Sequence, residues 1–323
     1  MAVPLPNSPL SVPRLKTVTR TQGATEALKN GEVSPHGLAL DFEEVPVLVH
    51  AFRRMVRELA YDVSEMAVTT YLVAKAHGVR FTALPAFLVR DFHHGAVLVD
   101  PESGIREPKD LEGKAVGVNR GYTVTTGVWA RAVLAEEYGV DLDKITWVLS
   151  GDEHVAAFRP PHHVEPMRGT RGLGERLLDG ELAATIGAPP AAPRVRALIP
   201  EPREAGLRAL RERGHWPVNH LVVVRDDVLR AHPDAGAEIF HAFARAKRAY
   251  VERLRGPLPE PTAQDRTLRE VMAVTGADPL PYGLAPNREV LDSLLRHAVD
   301  QHILERAPAP ESLFDPGTLD LVG

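Results

Sequence analysis

The segment from residue 108 to residue 139 decides the fold. It reads PKDLEGKAVGVNRGYT over residues 108–123 and VTTGVWARAVLAEEYG over residues 124–139. Val116 and Val118 predict a short strand, and Gly121 predicts the turn that ends it. The apolar residues at helical spacing from residue 124 to residue 133 predict a helix, which Gly139 ends. A strand, a tight turn and a helix in this order are typical of the repeating unit of an α/β sheet.

The turn before this helix is a candidate binding site for an anion. Its free N–H groups and the positive end of the helix dipole both favour negative charge. We interpret Thr123 as the N-cap and expect Thr123, Thr125 and Thr126, with the neighbouring Tyr122, to bind a carboxylate. The local pattern alone favours an ordinary strand–helix unit with a threonine cap, and the anion site stays open as the alternative.

The composition narrows the class of protein. A chain of 323 residues is long enough for two lobes, and 44% hydrophobic and 25% charged residues are ordinary for a globular protein. The formal charge of -5 gives no sign of a polyanion-binding surface, so nucleic acid is not expected as a partner. Without cysteine, the chain has no disulfides, no thiolate nucleophile and no cysteine-ligated zinc.

The location of the protein is predicted from two further features. No apolar run approaches the roughly 18 residues that a bilayer span needs, so no membrane association is expected. The first residues, MAVPLPNSPLSVPRLK, form a proline-rich tail without the apolar core of a secretory signal. We therefore expect a cytoplasmic protein, and the sequence leaves open whether it forms a homo-oligomer.

Strand and helix patterns alternate on both sides of the central segment and predict a mostly parallel α/β architecture with two lobes. The strand patterns Ala96–Val99 and Leu221–Val224 would carry the chain outward and back. We assign residues 1–99 and 220–323, including the C-terminal helices, to the first lobe and residues 100–219 to the second. A cleft between such lobes is a favoured ligand site, and we expect the lobes to close on a ligand by rotation at the crossings.

A set of short motifs spans nearly the whole chain. They are Tyr61-Asp62-Val63-Ser64-Glu65-Met66, Phe92-His93-His94-Gly95-Ala96, Asp110-Leu111-x-Gly113-Lys114-x-Val116-Gly117-Val118, Val128-Trp129-x-Arg131, Glu137-Tyr138-Gly139-Val140, Pro217-Val218-x-His220 and Pro281-Tyr282-Gly283. Together they resemble the 4,5-dihydroxyphthalate decarboxylase family, whose proteins have the type II periplasmic-binding-protein fold. The resemblance implies a two-lobed α/β fold with two crossing strands and an interlobe cleft. It also implies a non-oxidative decarboxylase of a hydroxylated aromatic acid, a carboxy-lyase with a small aromatic acid as its partner.

One departure from the family falls close to the expected cleft. The family usually carries an Arg-Thr pair shortly after its first strand, and we align that pair with Ala24-Thr25. A missing arginine would mean a substrate with one carboxylate rather than two. The number of carboxylates on the aromatic acid therefore stays open.

The implied reaction defines the groups that the cleft needs. Direct loss of CO2 from an arene would leave an aryl carbanion, whereas deprotonating a ring hydroxyl para or ortho to the carboxylate pushes electron density into the ring. A general acid can then protonate the carbon that bears the carboxylate before CO2 leaves. We expect no organic cofactor. A divalent metal ion in the cleft is an open alternative, because catechols chelate metals.

Three residues are the candidates for proton transfer. Glu65 lies just past a predicted strand end, and His94 and His220 each precede one predicted crossing. An unperturbed histidine pKa of about 6.5 suits proton transfer near neutral pH. A helix-capping or surface role for Glu65 and a structural role for each histidine are the alternatives. Ser64 and Asn219, as direct neighbours of these residues, are candidate substrate ligands.

Other polar residues allow fewer conclusions. Arg131 is a further candidate substrate ligand, against the alternative of an ion pair on the helix surface. His93, His162, His163 and His215 could ligate a metal, but their spacing matches no compact metal motif, so we expect no obligatory structural metal. Two other functions stay open, a binding protein for a small acid and a different lyase on the same fold, comparable to the menaquinone-pathway enzymes that resemble binding proteins.

Overall fold

The computed structural model describes residues 12–323, so most of the predicted proline-rich tail lies outside the described residues. Two sheets form the framework of this part of the chain. Their strands are β1 (Arg14–Val18), β2 (Ala39–Phe42), β3 (Val63–Ala67), β4 (Phe81–Arg90), β5 (Val97–Val99), β6 (Ala115–Val118), β7 (Thr146–Leu149), β8 (Val164–Pro166), β9 (Ala184–Ile186), β10 (Arg196–Ala197) and β11 (Val218–Arg225).

Helices connect the strands and cover the sheets. They are α1 (Glu26–Lys29), α2 (Leu48–Glu58), α3 (Val68–Ala76), α4 (Thr125–Tyr138), α5 (Leu173–Leu178), α6 (Pro202–Arg213), α7 (Asp226–Ala231), α8 (Ala235–Arg255), α9 (Ala263–Thr275) and α10 (Arg288–Asp300). Helix α4 ends at Gly139, which adopts the left-handed conformation with a φ of 63°, as the sequence predicts. Within residues 12–323, no helix combines the length and the apolar character that a membrane span requires.

The first sheet has the strand order β2-β1-β3-β11-β4. Strands β1, β2 and β3 run parallel, whereas β11 runs antiparallel to both of its neighbours. Every residue of β3 is buried, because this strand lies at the centre of the sheet. Its position places the C-terminal end of β3 and the N-terminal end of β11 side by side.

The second sheet has the order β10-β5-β9-β6-β7-β8. Strands β6, β7, β8 and β9 are parallel, and β5 is antiparallel to β9 and β10. The predicted strand–turn–helix unit is formed by β6 and α4, with β6 between β7 and β9. This arrangement places the turn before α4 at the edge where the parallel strands end.

The chain passes between the sheets slightly earlier than the sequence indicates. Strand β5 (Val97–Val99) belongs to the second sheet, and all of β11 (Val218–Arg225) belongs to the first. The two crossings are therefore residues 91–96 and 214–217, and residues 97–99 and 218–219 change sides relative to our assignment. Strand periodicity identifies a strand but carries no information on its partner, which explains the difference.

Helix α10 contacts the second sheet's helix α4, although the sequence assigned all C-terminal helices to the first lobe. Gln301, directly after α10, donates its Nε2 to the carbonyl of Val128 at 3.0 Å. His297 and Glu136 add a contact of 2.9 Å between Nε2 and Oε2. The C-terminal helix therefore bridges the two sheets on the side away from the cavity described below.

Candidate functional site

A cavity of about 560 Å3 lies between the two sheets. Its walls come from the segment after β1, the start of α2, the turn before α4, the loop after β7 and the start of β11. The polar and charged side chains of its lining are Arg20, Thr21, Glu44, Thr70, Arg120, Thr125, Thr126, His154, Asn219 and His220. A second cavity of about 330 Å3 shares Thr126 and Asn219 with the first, so the two spaces adjoin.

Glu65 and His220 form a buried pair at the wall of the larger cavity. The side chain of Glu65 is 0% exposed and that of His220 is 14% exposed, and Nδ1 of His220 lies 2.5 Å from Oε1 of Glu65. Nη2 of Arg20 also lies 3.0 Å from Nδ1, but the contact with Glu65 is the shorter one. Since an ionised carboxylate only accepts hydrogen bonds, we assign the proton to Nδ1. The Nε2 atom of His220 then carries the free lone pair. Within residues 12–323 this nitrogen has no hydrogen-bond partner.

The protonation states of the pair follow from burial and from the neighbouring charges. Burial raises the pKa of Glu65, but the hydrogen bond from His220 and the charge of Arg20 outweigh it, so its pKa lies below the ordinary value. Burial also lowers the pKa of His220 below its ordinary value, and the bond to Glu65 opposes this effect only in part. An ionised Glu65 thus orients a neutral imidazole, an arrangement suited to a general base.

Arg20 is the third member of this cluster, and its position contradicts an expectation from the sequence. Its Nε lies 2.8 Å from Oε1 of Glu65, and its backbone N–H donates to Oε2 at 2.9 Å. Arg20 and Thr21 come two residues after β1, and both line the cavity. The prediction of a missing arginine is therefore wrong. The Arg-Thr pair after the first strand is present at residues 20–21, four residues before the pair that we had aligned with it.

Arg120 brings a second positive charge to the cavity from the turn between β6 and α4. Its backbone has a φ of 70°, a left-handed conformation that is uncommon outside glycine. Its N–H donates to Oγ of Ser150 at 2.8 Å, and a Cβ at Gly151 would lie 3.3 Å from Cα of Arg120. Within residues 12–323, no acidic side chain pairs with its guanidinium. The strained turn therefore holds an unneutralised cation at the ligand space.

The N-terminus of α4 faces the same space. Thr125 and Thr126 line the cavity, and the first amide of α4 with a backbone partner is that of Val128, which donates to Val124. The amides before it are therefore available to an anion. Asn219 lies opposite, 8% exposed, and its Oδ1 has no partner among the described residues. The register of β11 against β4 shifts around this residue, and such a bulge re-aims side chains.

The turn at residues 121–123 already holds a carboxylate, and it belongs to the protein. Glu153 accepts hydrogen bonds from the backbone N–H of Tyr122 and, at 2.5 Å, from Oγ1 of Thr123. A Cβ at Gly121 would lie 2.6 Å from this carboxylate, so the close approach requires glycine. The N-cap of α4 is Val124 and not Thr123. Thr123 and Tyr122 therefore bind an internal anion, and the expected role in substrate binding is wrong for both.

The comparison with known proteins identifies the family. A 4,5-dihydroxyphthalate decarboxylase from Comamonas testosteroni is 31% identical to the chain over 306 residues, which cover 89% of the chain and 90% of that protein. The chain belongs to the 4,5-dihydroxyphthalate decarboxylase family. A second relative of the same name, from Pseudomonas putida, is 34% identical over 163 residues, or 48% of the chain and 60% of that protein. No protein-family model matches the chain.

Solved structures confirm the fold of this family member. The periplasmic aliphatic sulphonate binding protein SsuA from Escherichia coli superposes with a TM-score of 0.54 at 10% identity, covering 96% of the chain and 100% of that protein. The desulfurization enzyme DSZB gives a TM-score of 0.51 at 14% identity over 95% of the chain and 98% of that protein. These likenesses bear on the fold alone. The predicted two-lobed, type II periplasmic-binding-protein-like fold is confirmed.

His94 does not line either cavity of this dihydroxyphthalate decarboxylase family member. A short 3-10 turn from His94 to Ala96 replaces the expected strand start, and the buried His94 places Nε2 3.0 Å from Oε1 of Glu137. Its neighbour His93 lines the smaller cavity instead, with Nε2 3.1 Å from Nδ2 of Asn219. The predicted position of His94 beside the ligand is therefore wrong, because a 3-10 turn changes which of two adjacent residues faces the cleft.

Two more predicted ligands lie away from the cavity. Ser64 is fully buried in β3, and its hydroxyl donates to the carbonyl of Glu65 at 2.7 Å. Arg131 is also fully buried. It donates to Oε1 of Gln301 at 2.8 Å and stacks on Tyr122 with its guanidinium carbon 3.9 Å from the ring centroid. Both residues stabilise the fold around the site, and neither can reach a ligand in this cavity.

Sequence reasoning missed His154 in this decarboxylase family member. The residue lies in the loop between β7 and β8. Its ring lines the larger cavity and is 6.3 Å from the ring of Phe52, which also contacts His220 at 5.1 Å. No motif marks this histidine. His154 belongs to the site only because the fold brings its loop to the cavity that Arg120 also lines.

Proposed function

We propose that the chain is a carboxy-lyase that removes CO2 from a hydroxylated aromatic acid, with 4,5-dihydroxyphthalate as the first candidate substrate. The observation that carries the proposal is the oriented Glu65–His220 pair at the wall of a cavity that also holds two arginines. The names of the two relatives support the same activity. The volume of about 560 Å3 lies within the range of small-molecule sites.

The role of His220 follows from its free nitrogen. In 4,5-dihydroxyphthalate each carboxylate lies para to a ring hydroxyl. His220 accepts the proton of one hydroxyl at Nε2, while Glu65 stabilises the resulting imidazolium through Nδ1. The released electron pair makes the para carbon, which bears the carboxylate, basic enough to accept a proton. Loss of CO2 from that carbon restores the aromatic ring.

The carboxylates of the substrate are bound by positive charge from both lobes. Arg120 supplies a guanidinium without an acidic partner, and the amides at the start of α4 supply aligned donors. Arg20 reaches the same space, although part of its charge is used by Glu65. Two arginines line the cavity, and the acidic residue of its lining, Glu44, is paired with Lys29 outside the lining. The remaining positive charge suits a dianion better than a monoanion. We therefore propose an aromatic acid with two carboxylates.

This chemistry needs no organic cofactor, because the ring hydroxyl itself supplies the electron pair that replaces the carbon–carboxylate bond. The groups required are a base, an anion site and a proton donor to carbon. Each proton-transfer group contributes on the order of 100- to 10,000-fold to the rate. The cavity offers two of these groups in the residues named above.

The proposal is tested by incubating the purified chain with 4,5-dihydroxyphthalate and measuring CO2 and 3,4-dihydroxybenzoate. We expect equal amounts of both products. In D2O, the product should carry one deuteron on the carbon that lost the carboxylate. Phthalate, which lacks the hydroxyls, is the matched control and should bind without releasing CO2. Tight binding of the dihydroxy acid without any CO2 release would contradict the proposal and indicate a binding protein.

A further inference from the structure

His154 lines the cavity from the loop after β7, whereas His220 lines it from β11 of the first sheet. The loop that carries it is fixed to α2 of the first lobe by Arg57, which donates to the carbonyls of His154 and Glu153 at 3.1 and 2.9 Å. The ring of Phe52 packs edge-on against both His154 and His220. An aromatic acid in the cavity therefore lies within a lining that holds two imidazoles, both packed on the ring of Phe52.

The two nitrogens of His154 have different surroundings. Nδ1 lies 3.1 Å from Oγ1 of Thr70, which holds the ring in one orientation. Nε2 is buried and has no partner among residues 12–323. A buried polar atom without a partner is uncommon and calls for an explanation. A proton that His154 takes up and gives away during the reaction would explain it.

The charges around His154 keep the imidazole neutral while the cavity is empty. Burial, together with the charges of Arg53 and Arg57 on α2 and Arg120 in the turn before α4, lowers its pKa to about 4, and Asp152 in its own loop opposes this only in part. A dianion bound in the cavity adds two negative charges beside Arg120, which lines it. Its presence favours the protonated imidazole, so ligand binding and proton uptake are coupled.

We propose that His154 is the acid that protonates the ring carbon, and that it acquires this proton only when an aromatic dianion binds. The inference rests on the proposed function. His220 takes the hydroxyl proton, and the ring carbon forms a bond to the proton of the His154 imidazolium. The carbon–carboxylate bond then breaks and its electron pair returns to the ring. His220 gives its proton back to the phenolate, and His154 takes a new proton from solvent with the next substrate, so each turnover consumes one proton.

Proton uptake is measured without turnover by using phthalate as the probe. Titration calorimetry at pH 6 in two buffers of different ionisation enthalpy gives the number of protons bound with the ligand. We expect the unmodified chain to take up close to one proton more than the His154→Gln variant, so the protonation of phthalate itself cancels. His162→Gln changes an exposed histidine of the same loop between β7 and β8, and its proton uptake should equal that of the unmodified chain.

The outcomes separate the inference from the proposed function. Phthalate binding with equal proton uptake in the unmodified chain and the His154→Gln variant would overturn the inference, as would uptake that disappears only in His220→Gln. Neither result bears on CO2 release from the dihydroxy acid. Failure to release CO2, together with the expected uptake, would overturn the proposed function and leave His154 as a charge-coupled ligand residue.

A second measurement covers the case in which His154→Gln does not fold. The coupling requires that phthalate binds the unmodified chain more weakly as the pH rises from the free pKa of about 4 to the pKa in the complex. The affinity should fall by about tenfold per pH unit over this range, since one proton is taken up on binding. Thr70→Val removes the hydroxyl beside Nδ1 and should change the pH dependence of phthalate affinity. Thr70→Ser keeps a hydroxyl and should leave this dependence as in the unmodified chain. A pH-independent affinity between pH 5 and 7 would overturn the inference.

Discussion

At the scale of single residues, His220 carries the sharpest expectation about the reaction. Replacing His220 by glutamine keeps a hydrogen bond to Glu65 but removes a group that exchanges protons near neutral pH. We expect the rate of CO2 release from 4,5-dihydroxyphthalate to fall at least about 100-fold, with the affinity for phthalate changed far less. The measurements are product formation under saturating substrate and calorimetric binding of phthalate.

The matched control for His220 is His94, a second buried histidine beside a glutamate. His94→Gln likewise leaves an amide that can donate to Glu137 but removes the buried imidazole, so we expect a lower melting temperature and a nearly normal rate per folded molecule. Similar losses of rate in both variants would mean that His220 acts through the fold. A His220→Gln variant that keeps normal turnover would remove His220 from catalysis.

The sequence identified several of these residues as candidates for the site, but it did not predict which residues they contact in the folded protein. His220 and Glu65 lie together because β3 and β11 pair across 155 residues of chain. The sequence indicated each residue by its place at a predicted strand end or crossing and by the family resemblance, but not that the two form a pair. His93 and His94 could not be distinguished, because facing the cleft depends on one 3-10 turn. His154 lies in a segment without periodicity or motif, so no local signal was present.

At the scale of elements, the turn before α4 separates stability from ligand binding. Thr123→Val removes the hydroxyl that donates to the Glu153 carboxylate, and we expect the free energy of unfolding to fall by about 1.5–3 kcal/mol, as for hydrogen bonds to charged groups. The affinity for phthalate should stay unchanged. Denaturant unfolding and calorimetry measure the two effects.

Thr126→Val is the matched variant two residues into the same helix. Its hydroxyl lines the cavity and has no hydrogen-bond partner within residues 12–323, so we expect weaker phthalate binding and little change in stability. If Thr123→Val weakened binding in a folded chain, the substrate carboxylate would lie in the turn after all. The sequence could identify this turn as an anion site, but it could not reveal which anion occupies it.

The two crossings carry buried histidines that make the stability of the protein depend on pH. Burial lowers the pKa of His93 to about 3 and that of His215 to about 4, against about 6.5 in an unfolded chain. Between these values the unfolded state binds protons that the native state does not. Stability is therefore complete above about pH 6.5 and falls as the pH decreases towards 4.

We expect each of these histidines to lower the free energy of unfolding by about 2 kcal/mol between pH 7 and pH 5. Urea unfolding at several pH values measures this slope. The His93→Gln and His215→Gln double variant should show a smaller slope than the unmodified chain over the same range. Equal slopes would mean that other groups dominate the acid sensitivity.

At the scale of the whole molecule, α2 ties the lobes together across the cavity. Arg53 and Arg57 lie 2.8 and 3.1 Å from the carboxylate of Asp152, which precedes His154 in the second lobe. We expect phthalate to close the lobes further, because it is bound by cations from both of them. The radius of gyration from small-angle scattering should decrease with saturating phthalate, and an Arg53→Ala and Arg57→Ala double variant should have a larger radius without ligand. An unchanged radius in both comparisons would contradict closure.

The internal carboxylate of Glu153 has a consequence for chemical rescue. Glu153→Ala would leave a cavity the size of a carboxylate group, lined by the N–H groups of Tyr122 and Thr123 and by the Thr123 hydroxyl. Unpaired buried donors destabilise the fold, and a small free carboxylate could replace the lost one. We therefore expect formate or acetate at millimolar concentration to raise the melting temperature of Glu153→Ala well above its effect on the unmodified chain. Chloride at the same ionic strength should not, because it lacks the two oxygens that the turn is built to receive.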